Sequence, residues 1–354
     1  MQEAEYLDAC QSEMETQKSL QKQVKKLPFA FTRLYVRDFQ GIQKIVIDTI
    51  SSDVQWVFLT GENGYGKTSI LRAIATGLIG DENIINDLLI ESKIYINGIA
   101  QNKTFIYEPQ SKTKSPLNIP MAAYGAARYQ LAGADYNSLE NHKKSVTYSL
   151  FYDNGQLINI EQELIYANAY NRTRFAFLVK AFKKIIPYLT EIEVITVNGD
   201  PQVQYYEQNK DGKRYPPVRL QQLAAGYRNI LMMIGDMMIR LSKYPNNSLR
   251  DLKGIVLIDE IDAHLHPKYQ YQLPKLLSEL FPKIQFIVTT HNPIPILSLP
   301  KTIPSVVLTV SRTIEIGITI DRKDAEIEIH RLNPNALLTS PIFGFQLVKE
   351  YMEA

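Results

Sequence analysis

The most informative segment of this chain is Gly61-Glu62-Asn63-Gly64-Tyr65-Gly66-Lys67-Thr68. It fits the pattern G-x-x-x-x-G-K-[ST], in which glycines allow backbone N–H groups to turn toward phosphate oxygens. The apolar run Trp56–Thr60 before it predicts a buried strand, and the apolar residues after Lys67 recur on one helical face. Because strand, loop and helix follow one another directly, the sequence predicts an α/β fold with a phosphate-binding loop and disfavours a chance glycine turn.

The polar groups of this loop have distinct expected roles. Lys67 is expected to reach the β- and γ-phosphates of ATP, and the Thr68 hydroxyl to bind Mg²⁺. The helix that follows adds positive potential at its N-terminus, which favours the same anion. The predicted ATP-binding residues of the loop are Asn63, Gly64, Tyr65, Gly66, Lys67, Thr68 and Ser69.

A second segment ends in two carboxylates. Four aliphatic residues, Ile255–Ile258, precede Asp259 and Glu260, as expected for a central strand whose end faces a metal ion. Asp259 is predicted to hold Mg²⁺, and Glu260 to act as the general base for the attacking water. Taken alone, the segment also fits a strand followed by a solvated acidic turn, a reading that the phosphate-binding loop weakens.

A third apolar strand, Phe286–Thr289, ends near His291. Ligands collect at strand ends of this kind in doubly wound sheets, so His291 is predicted to be a catalytic residue that senses the γ-phosphate. Two more histidines, His264 and His266, are spaced i and i+2, which does not put them on one helical face. A metal site there is therefore disfavoured.

These three segments, together with Leu223-Ala224-Ala225-Gly226-Tyr227-Arg228 before the acidic strand, resemble the ATP-binding-cassette ATPases. The resemblance is to the RecF, Rad50 and SMC branch, to overcome-lysogenization-defect ATPases, and in the ending Leu332–Phe345 to stand-alone ATPases of Septu and retron antiphage modules. It implies a P-loop NTPase of ABC type, with a mixed sheet flanked by helices and an inserted α+β lid or arm. It also implies ATP and Mg²⁺ as ligands.

The resemblance further implies a composite site in a homodimer or higher homo-oligomer. In this family the signature loop of one subunit closes over the ATP held by the other. The residues expected to act in trans are Ala224, Ala225, Gly226 and Arg228. Ala224 stands where the family usually has serine, which removes a hydroxyl donor and implies slow or partner-dependent hydrolysis.

Two further positions follow from the same resemblance. His266 stands where many relatives have aspartate. Whether the two nucleotide sites of the implied dimer communicate through this loop is therefore left open. The segment Met121–Gln130 resembles the link between nucleotide core and lid, and Gln130, or less favourably Arg128, is a candidate γ-phosphate and Mg²⁺ sensor. An ordinary strand and loop is an equal alternative for that segment.

The chain is predicted to have four parts. They are a polar N-terminal helix or arm at 1–27, an ATPase core at 28–101 and 220–332, an inserted lid or arm at 102–219, and a partner-docking tail at 333–354. In the tail, Leu337, Leu338, Ile342, Phe343 and Phe345 suit docking of a partner, and packing onto the chain's own sheet is an equally good alternative.

Hydrophobic periodicity and turn signals also predict individual elements. Helices are predicted from Lys67, over Arg172–Leu189, over 225–243 and after Pro267. Strands are predicted at Arg33–Arg37, Lys44–Asp48, Ser145–Tyr152, Glu193–Val197, Gly254–Ile258, Ile284–Thr289, Ser305–Val310, Thr313–Ile320 and Ala325–Leu332.

Composition limits the choice of partners. The chain has 39 Lys and Arg against 37 Asp and Glu, so nucleic acid could bind only through a local basic patch. Cys10 is the only cysteine, which excludes an intrachain disulfide framework and suits the cytoplasm. Apolar runs are too short for a membrane span. DNA or another nucleic acid is a candidate partner through the predicted lid, which contains 15 basic and 11 acidic residues.

The function expected from all this is ATP-dependent regulation of a separate effector. The 63 residues after His291 contain no nuclease motif, so the predicted effector, a nuclease used in antiphage defence, is encoded separately. The alternative is a RecF-like repair or recombination ATPase that binds DNA as an ATP-gated clamp. ATP-dependent binding to DNA ends or gaps by the chain alone would favour that alternative.

Overall fold

The computed structural model describes residues 26–79, 92–101, 103–107, 119–127, 130–131, 146–153, 156–242, 248–323, 327 and 329–343. The predicted N-terminal arm lies outside these residues except for Lys26 and Leu27. Strands are β1 Phe29–Phe39, β2 Ile42–Ile47, β3 Trp56–Thr60, β4 Lys93–Ala100, β5 Lys103–Tyr107, β6 Met121–Tyr124, β7 Gln130–Leu131, β8 Gln156–Leu157, β9 Leu189–Val197, β10 Asp200–Glu207, β11 Lys253–Ile258, β12 Lys283–Thr289, β13 Ser305–Thr313 and β14 Gly317–Arg322. Helices are α1 Lys67–Ile79, α2 Tyr148–Phe151, α3 Ile160–Tyr170, α4 Arg172–Ile185, α5 Ala225–Leu241, α6 Pro267–Leu280, α7 Ile294–Leu297 and α8 Pro334–Leu338.

The chain forms two compact units. Unit 1 comprises residues 1–119, 254–261 and 283–354, and unit 2 comprises residues 120–253 and 262–282. Because the chain crosses between the units four times, motifs that are distant in sequence come together within unit 1. The predicted functional division into core and lid follows other boundaries and stays a prediction.

The nucleotide-binding motifs lie on a mixed sheet in unit 1. Its strands there have the order β14, β13, β3, β12 and β11. Strands β12 and β13 both run parallel to β3, and β14 returns antiparallel to β13. All five residues of β3 are buried, which explains its continuous apolar sequence. The α/β P-loop NTPase fold predicted from the sequence is confirmed.

A second, antiparallel sheet of unit 1 has the order β2, β1, β4 and β5. Gln285 of β12 joins the two sheets and is fully buried. Its side-chain oxygen accepts from the backbone N of Phe31 at 2.7 Å, and its amide nitrogen donates to the carbonyls of Phe31 at 3.2 Å and Val54 at 3.1 Å. A buried polar side chain is stable here because it satisfies three buried backbone groups.

Unit 2 combines helices with the antiparallel hairpin β9–β10. Its most buried charge is Asp236 of α5, which has no exposed surface. The carboxylate accepts from the Tyr124 hydroxyl at 2.7 Å, the Ile158 backbone N at 2.8 Å and the Arg240 guanidinium at 2.6 Å. These bonds and the paired charge offset the cost of burying the carboxylate.

Four predicted elements were wrong in part. The strand predicted at Thr313–Ile320 begins only at Gly317, because residues 314–316 form the turn that joins β13 to β14. Ser145–Tyr152 was expected to be a strand, but Tyr148–Phe151 is helical, and the ring of Tyr148 stacks on that of the extended C-cap residue Tyr152 with centroids 4.6 Å apart. The helix predicted to reach Leu189 ends at Ile185, because Ile186 precedes Pro187 and is extended. In the predicted strand Ala325–Leu332, the structure has a 3₁₀ turn at Ile329–Arg331, while residues 324–326 and 328 lie outside the described part.

The start of the predicted docking tail packs on its own chain. Leu337 and Ile342 are fully buried, and the Thr309 hydroxyl donates to the Ile342 carbonyl at 3.3 Å. These two side chains are therefore not available to a partner, as the alternative of packing onto the chain's own sheet predicts. Phe345 lies outside the described residues. No helix in the described part of the chain has both the length and the apolar character needed to cross a bilayer.

Candidate nucleotide-binding site

The phosphate-binding loop leaves β3 through a glycine that no other residue could replace without strain. Gly61 has φ +138°, and a Cβ there would lie 2.2 Å from the carbonyl oxygen of Val310 on the neighbouring strand. Gly64 and Gly66 also have positive φ, at +82° and +94°. The glycines predicted from the motif therefore occupy backbone conformations that side chains disfavour.

Lys67 begins α1 and folds back over the loop. Its side chain is buried, and its ammonium donates to the carbonyls of Gly61 at 2.7 Å and Glu62 at 2.8 Å. These contacts hold the positive charge within the loop, where a phosphate group of ATP is expected to bind.

The predicted magnesium ligands lie together. The Thr68 hydroxyl donates to Oδ2 of Asp259 at 2.9 Å, although the two residues are 191 positions apart. A hydroxyl beside one carboxylate suits Mg²⁺, which prefers oxygen ligands and keeps several waters. Among the described residues, no group of three or more His, Cys, Asp or Glu side chains could hold a metal ion, and the disfavoured metal site at His264 and His266 stays a prediction.

Thr289 was not identified from the sequence as a functional residue, yet it contacts both acidic residues. Its hydroxyl donates to Oδ1 of Asp259 at 2.6 Å and accepts from the backbone N of Glu260 at 2.7 Å. The sequence feature that could have identified it is its position at the end of a mostly apolar strand. Thr289 fixes the orientation of the Asp259 carboxylate and the backbone that leads into Glu260.

Glu260 leaves the strand in an unusual conformation. Its φ of +48° lies in the left-handed region, which is uncommon for residues other than glycine. Such strain persists where neighbouring contacts determine the backbone, and here the bonds of Thr289 and the one from Ile261 N to the Thr289 carbonyl at 3.1 Å do so. The side chain of Glu260 is partly exposed, which is compatible with its predicted role as general base.

His291 follows β12, the strand between β3 and β11. It is exposed, and the turn around it is fixed by the Thr290 hydroxyl, which accepts from the Asn292 backbone N at 3.0 Å. The sheet order therefore puts His291 beyond a strand end flanked by the strands that lead to the phosphate-binding loop and to the acidic pair.

Two more contacts involve the loop itself. A hydrogen bond to Glu62 is the main reason that the pKa of the Tyr65 hydroxyl is raised, and the charge of Glu62 and some burial add to it. Arg312 of β13 donates to the Gly64 carbonyl at 3.4 Å, a contact the sequence did not reveal. Thus one further cation lies at the loop.

The predicted signature loop lies in unit 2, at the start of α5. Ala224 is the N-cap of this helix, Ala225 begins it, and both are exposed. Ala224 has no side-chain oxygen that could accept from the first turn, so the helix N-terminus has no side-chain cap. Arg228 donates from its guanidinium to the Gln221 carbonyl at 3.1 Å.

Gly226 and the two histidines have structural reasons for their positions. A Cβ at Gly226 would lie 2.9 Å from the His264 carbonyl, so the close contact requires glycine. His266 caps α6, because its Nδ1 accepts from the Lys268 backbone N at 3.3 Å.

Gln130 lies in β7, where it pairs with Gln156, and its side chain lies outside the described part.

Comparison with known proteins finds similarity to a Septu protein and to a probable retron ATPase. A family model described as "AAA domain, putative AbiEii toxin, Type IV TA system" matches residues 217–294. Septu protein PtuA of Bacillus mycoides (strain KBAB4) is 29% identical over 345 residues, which cover 88% of this chain and 44% of PtuA. The protein named "Retron Ec83 probable ATPase" of Escherichia coli is 50% identical over 74 residues, 20% of this chain and 14% of that protein. The chain is similar to Septu PtuA and to a probable retron ATPase.

The resemblance predicted from the motifs, to ABC-type ATPases of antiphage modules, is confirmed by these relatives. The chain spans less than half the length of the curated relatives it matches. Among solved structures, the SMC head bound to the C-winged helix domain of ScpA has 15% identity and a TM-score of 0.48, with 84% of this chain and 99% of that chain covered.

Proposed function

We propose that this Septu and retron relative binds Mg²⁺ and ATP and hydrolyses the ATP to ADP and phosphate. The observation that supports this most directly is the Thr68–Asp259 hydrogen bond, which joins the phosphate-binding loop to the acidic strand. Loop N–H groups and Lys67 bind the phosphates in this proposal, and Thr68 and Asp259 hold Mg²⁺. The metal ion, when bound, neutralises negative charge on the phosphates.

Glu260 is the proposed general base. Water attacks the γ-phosphorus, its proton passes to the Glu260 carboxylate, and the bond from the γ-phosphorus to the bridging oxygen breaks to leave ADP. His291 contacts the γ-phosphate in this proposal, and Gln130 is retained as a candidate sensor. The exposed side chain of His291 and the partly exposed one of Glu260 are compatible with these roles.

The proposed site is completed by a second copy of the chain. The exposed start of α5, with Ala224, Ala225, Gly226 and Arg228, would close over the γ-phosphate held by the partner. Backbone N–H groups at the uncapped helix N-terminus supply the hydrogen bonds that the missing serine hydroxyl cannot. ATP then stabilises a homodimer, or a larger homo-oligomer built from such pairs.

Glu260→Gln tests the chemistry. Glutamine has nearly the same shape but cannot accept the proton, so hydrolysis should fall roughly 100-fold or more while ATP binding persists. The variant should accumulate as an ATP-bound dimer, measured by light scattering during size-exclusion chromatography. Glu62→Gln, which changes an exposed carboxylate of the same loop, is the matched control. Hydrolysis by Glu260→Gln at the parental rate would disprove the assignment of the base.

The proposed biological role is the control of a separately encoded nuclease in antiphage defence. Relatives include Septu PtuA and a protein named Endonuclease GajA, which is 30% identical over 81 residues. Expression of the native operon with a tag on this chain should copurify a second polypeptide with nuclease activity. Repeated isolation of the chain alone, with and without ATP, would reject the role.

A further inference from the structure

One helix of unit 2 carries a row of cations on its exposed face. Arg172, Ala176, Lys180 and Lys184 of α4 are each four residues apart, so they lie along one side of the helix. The opposite side is buried and apolar. Helical packing therefore fixes the direction in which these cations point.

The row borders a cleft of about 570 Å³. We call it the α4 cleft, and all of its lining residues belong to unit 2. Its other walls are the 3₁₀ turn Leu249–Asp251 and the last turn of α6. The 3₁₀ turn packs against α6. The lining residues used below are Arg172, Phe177, Lys180, Lys184, Arg250 and Glu279.

The charge of the α4 cleft is strongly one-sided. Four cations border it against one carboxylate, Glu279, whereas the whole chain has a net charge of only +2. Within the described residues, Glu279 forms no ion pair with Lys180, Lys184 or Arg250. Like charges around a concave surface repel one another and concentrate positive potential in it. A bound anion would offset that repulsion.

The other two cations of α4, Arg174 and Lys183, do not line the cleft, which argues against a general basic surface. Arg174 pairs with Glu163 at 2.9 Å, and Lys183 is exposed but does not border the cleft. The helix carries five basic residues, Arg172, Arg174, Lys180, Lys183 and Lys184. The structure separates three that border the cleft from two that do not.

The cleft also has an apolar side. Phe177 is partly exposed there, beside the buried Leu249 and Leu280. Aromatic rings stack on nucleobases, and Arg and Lys bind phosphates. A volume of about 570 Å³ is within the usual range for sites that hold small organic ligands.

We propose that the α4 cleft binds a phosphorylated ligand of nucleotide size, with the base against Phe177 and the phosphates against the four cations. This site shares no residue with the phosphate-binding loop, so it does not depend on the proposed ATPase activity. The ligand is either a free nucleotide or a nucleotide within a single strand. Two exposed rings, Tyr166 and Tyr170, lie 4.9 Å apart just before Arg172 in the chain and offer a strand further stacking surface.

The test uses the full-length Lys67→Ala chain, in which ATP binding by the phosphate-binding loop is impaired. Two labelled ligands are titrated separately by fluorescence anisotropy, an ATP derivative and an oligothymidylate of about 10 nucleotides, a length suited to single-strand sites. Binding of either one is expected. Lys180→Glu and Arg250→Glu, added one at a time, should raise its Kd about tenfold, equivalent to ~1.4 kcal/mol.

Matched variants separate the cleft from general charge effects. Lys183→Glu changes the same charge on the same helix but outside the cleft and should leave Kd within about twofold, since exposed charges away from the site are screened. Lys180→Arg keeps the charge and should retain binding, and thermal unfolding checks that each variant folds.

Binding of the ATP derivative identifies a free nucleotide as the ligand, and binding of the oligothymidylate alone identifies a strand. If neither ligand binds the Lys67→Ala chain, or if Lys183→Glu weakens binding as much as Lys180→Glu, the inference is wrong. Loss of all ATP binding with Lys67→Ala would leave the proposed ATPase intact while removing a free nucleotide as the ligand of the α4 cleft.

Discussion

The Thr289 hydroxyl orders the acidic pair of the candidate site. It donates to Asp259 and accepts from the Glu260 backbone, so one oxygen links the predicted metal ligand to the predicted base. Asp259 thus accepts through both carboxylate oxygens, the second from Thr68. Precise orientation of such groups matters because small displacements lower catalytic rates strongly.

Thr289→Val should therefore impair hydrolysis more than ATP binding. Valine has nearly the same shape but leaves Asp259 without one donor and the Glu260 N–H without its acceptor, a loss of roughly 1–3 kcal/mol. We expect the hydrolysis rate to fall about tenfold, measured by phosphate release, while the Kd for ATP changes little. Thr289→Ser keeps the hydroxyl and should retain activity. A Thr289→Val variant with the parental rate would show that the hydroxyl has no role in positioning.

Between elements, Gln285 connects the two sheets of unit 1 through three hydrogen bonds to backbone groups. The sequence offered only a glutamine inside an apolar strand, and periodicity predicts β12 without explaining that residue. The glutamine is explained by its hydrogen bonds to β1 and to the segment at Val54, both more than 200 residues earlier in the chain.

Gln285→Leu should destabilise the protein without altering the residues of the site. Three buried backbone groups would lose their partners at roughly 1–3 kcal/mol each, so the free energy of unfolding should fall by about 3 kcal/mol or more. Urea unfolding followed by circular dichroism measures this. Gln43→Leu, at an exposed position of β2, is the control and should change stability by less than about 0.5 kcal/mol. Equal stability of the two variants would contradict the account.

For the whole assembly, the proposed composite site predicts that two inactive variants recover activity when they are mixed. Lys67→Ala disables the phosphate-binding loop of a subunit, and Ala224→Arg obstructs its signature loop with a large charged side chain. Each variant alone should be inactive. In a mixed dimer, the intact loop of one subunit faces the intact signature loop of the other, so one of two sites is restored.

With random assortment, half of the dimers are mixed and each has one working site, so about a quarter of the parental activity should return on mixing. Phosphate release is measured before and after the two purified variants are combined with ATP. No recovery, with both variants folded and able to dimerise, would reject a site shared between subunits. Activity of Ala224→Arg alone would reject the role of the signature loop.

The phosphate-binding loop, the acidic strand end and most elements around them could be predicted from the sequence. Glycine conformation, strand burial and helical periodicity are local properties of the chain. The sequence identified β3 to the residue and α5 nearly so. It failed at Tyr148–Phe151, where a short apolar run fits strand and helix equally well, and it left partner docking and internal packing open for the tail, because burial of Leu337 depends on distant partners.

The contacts between distant polar groups, in contrast, depend on the tertiary fold. Thr68, Asp259 and Thr289 come within hydrogen-bond distance because β12 lies next to both β3 and β11. The α4 cleft likewise exists only because the turn at Arg250 and the end of α6 lie beside α4. Hydrogen bonds and clefts depend on contacts between residues remote in sequence, and no local pattern specifies those contacts.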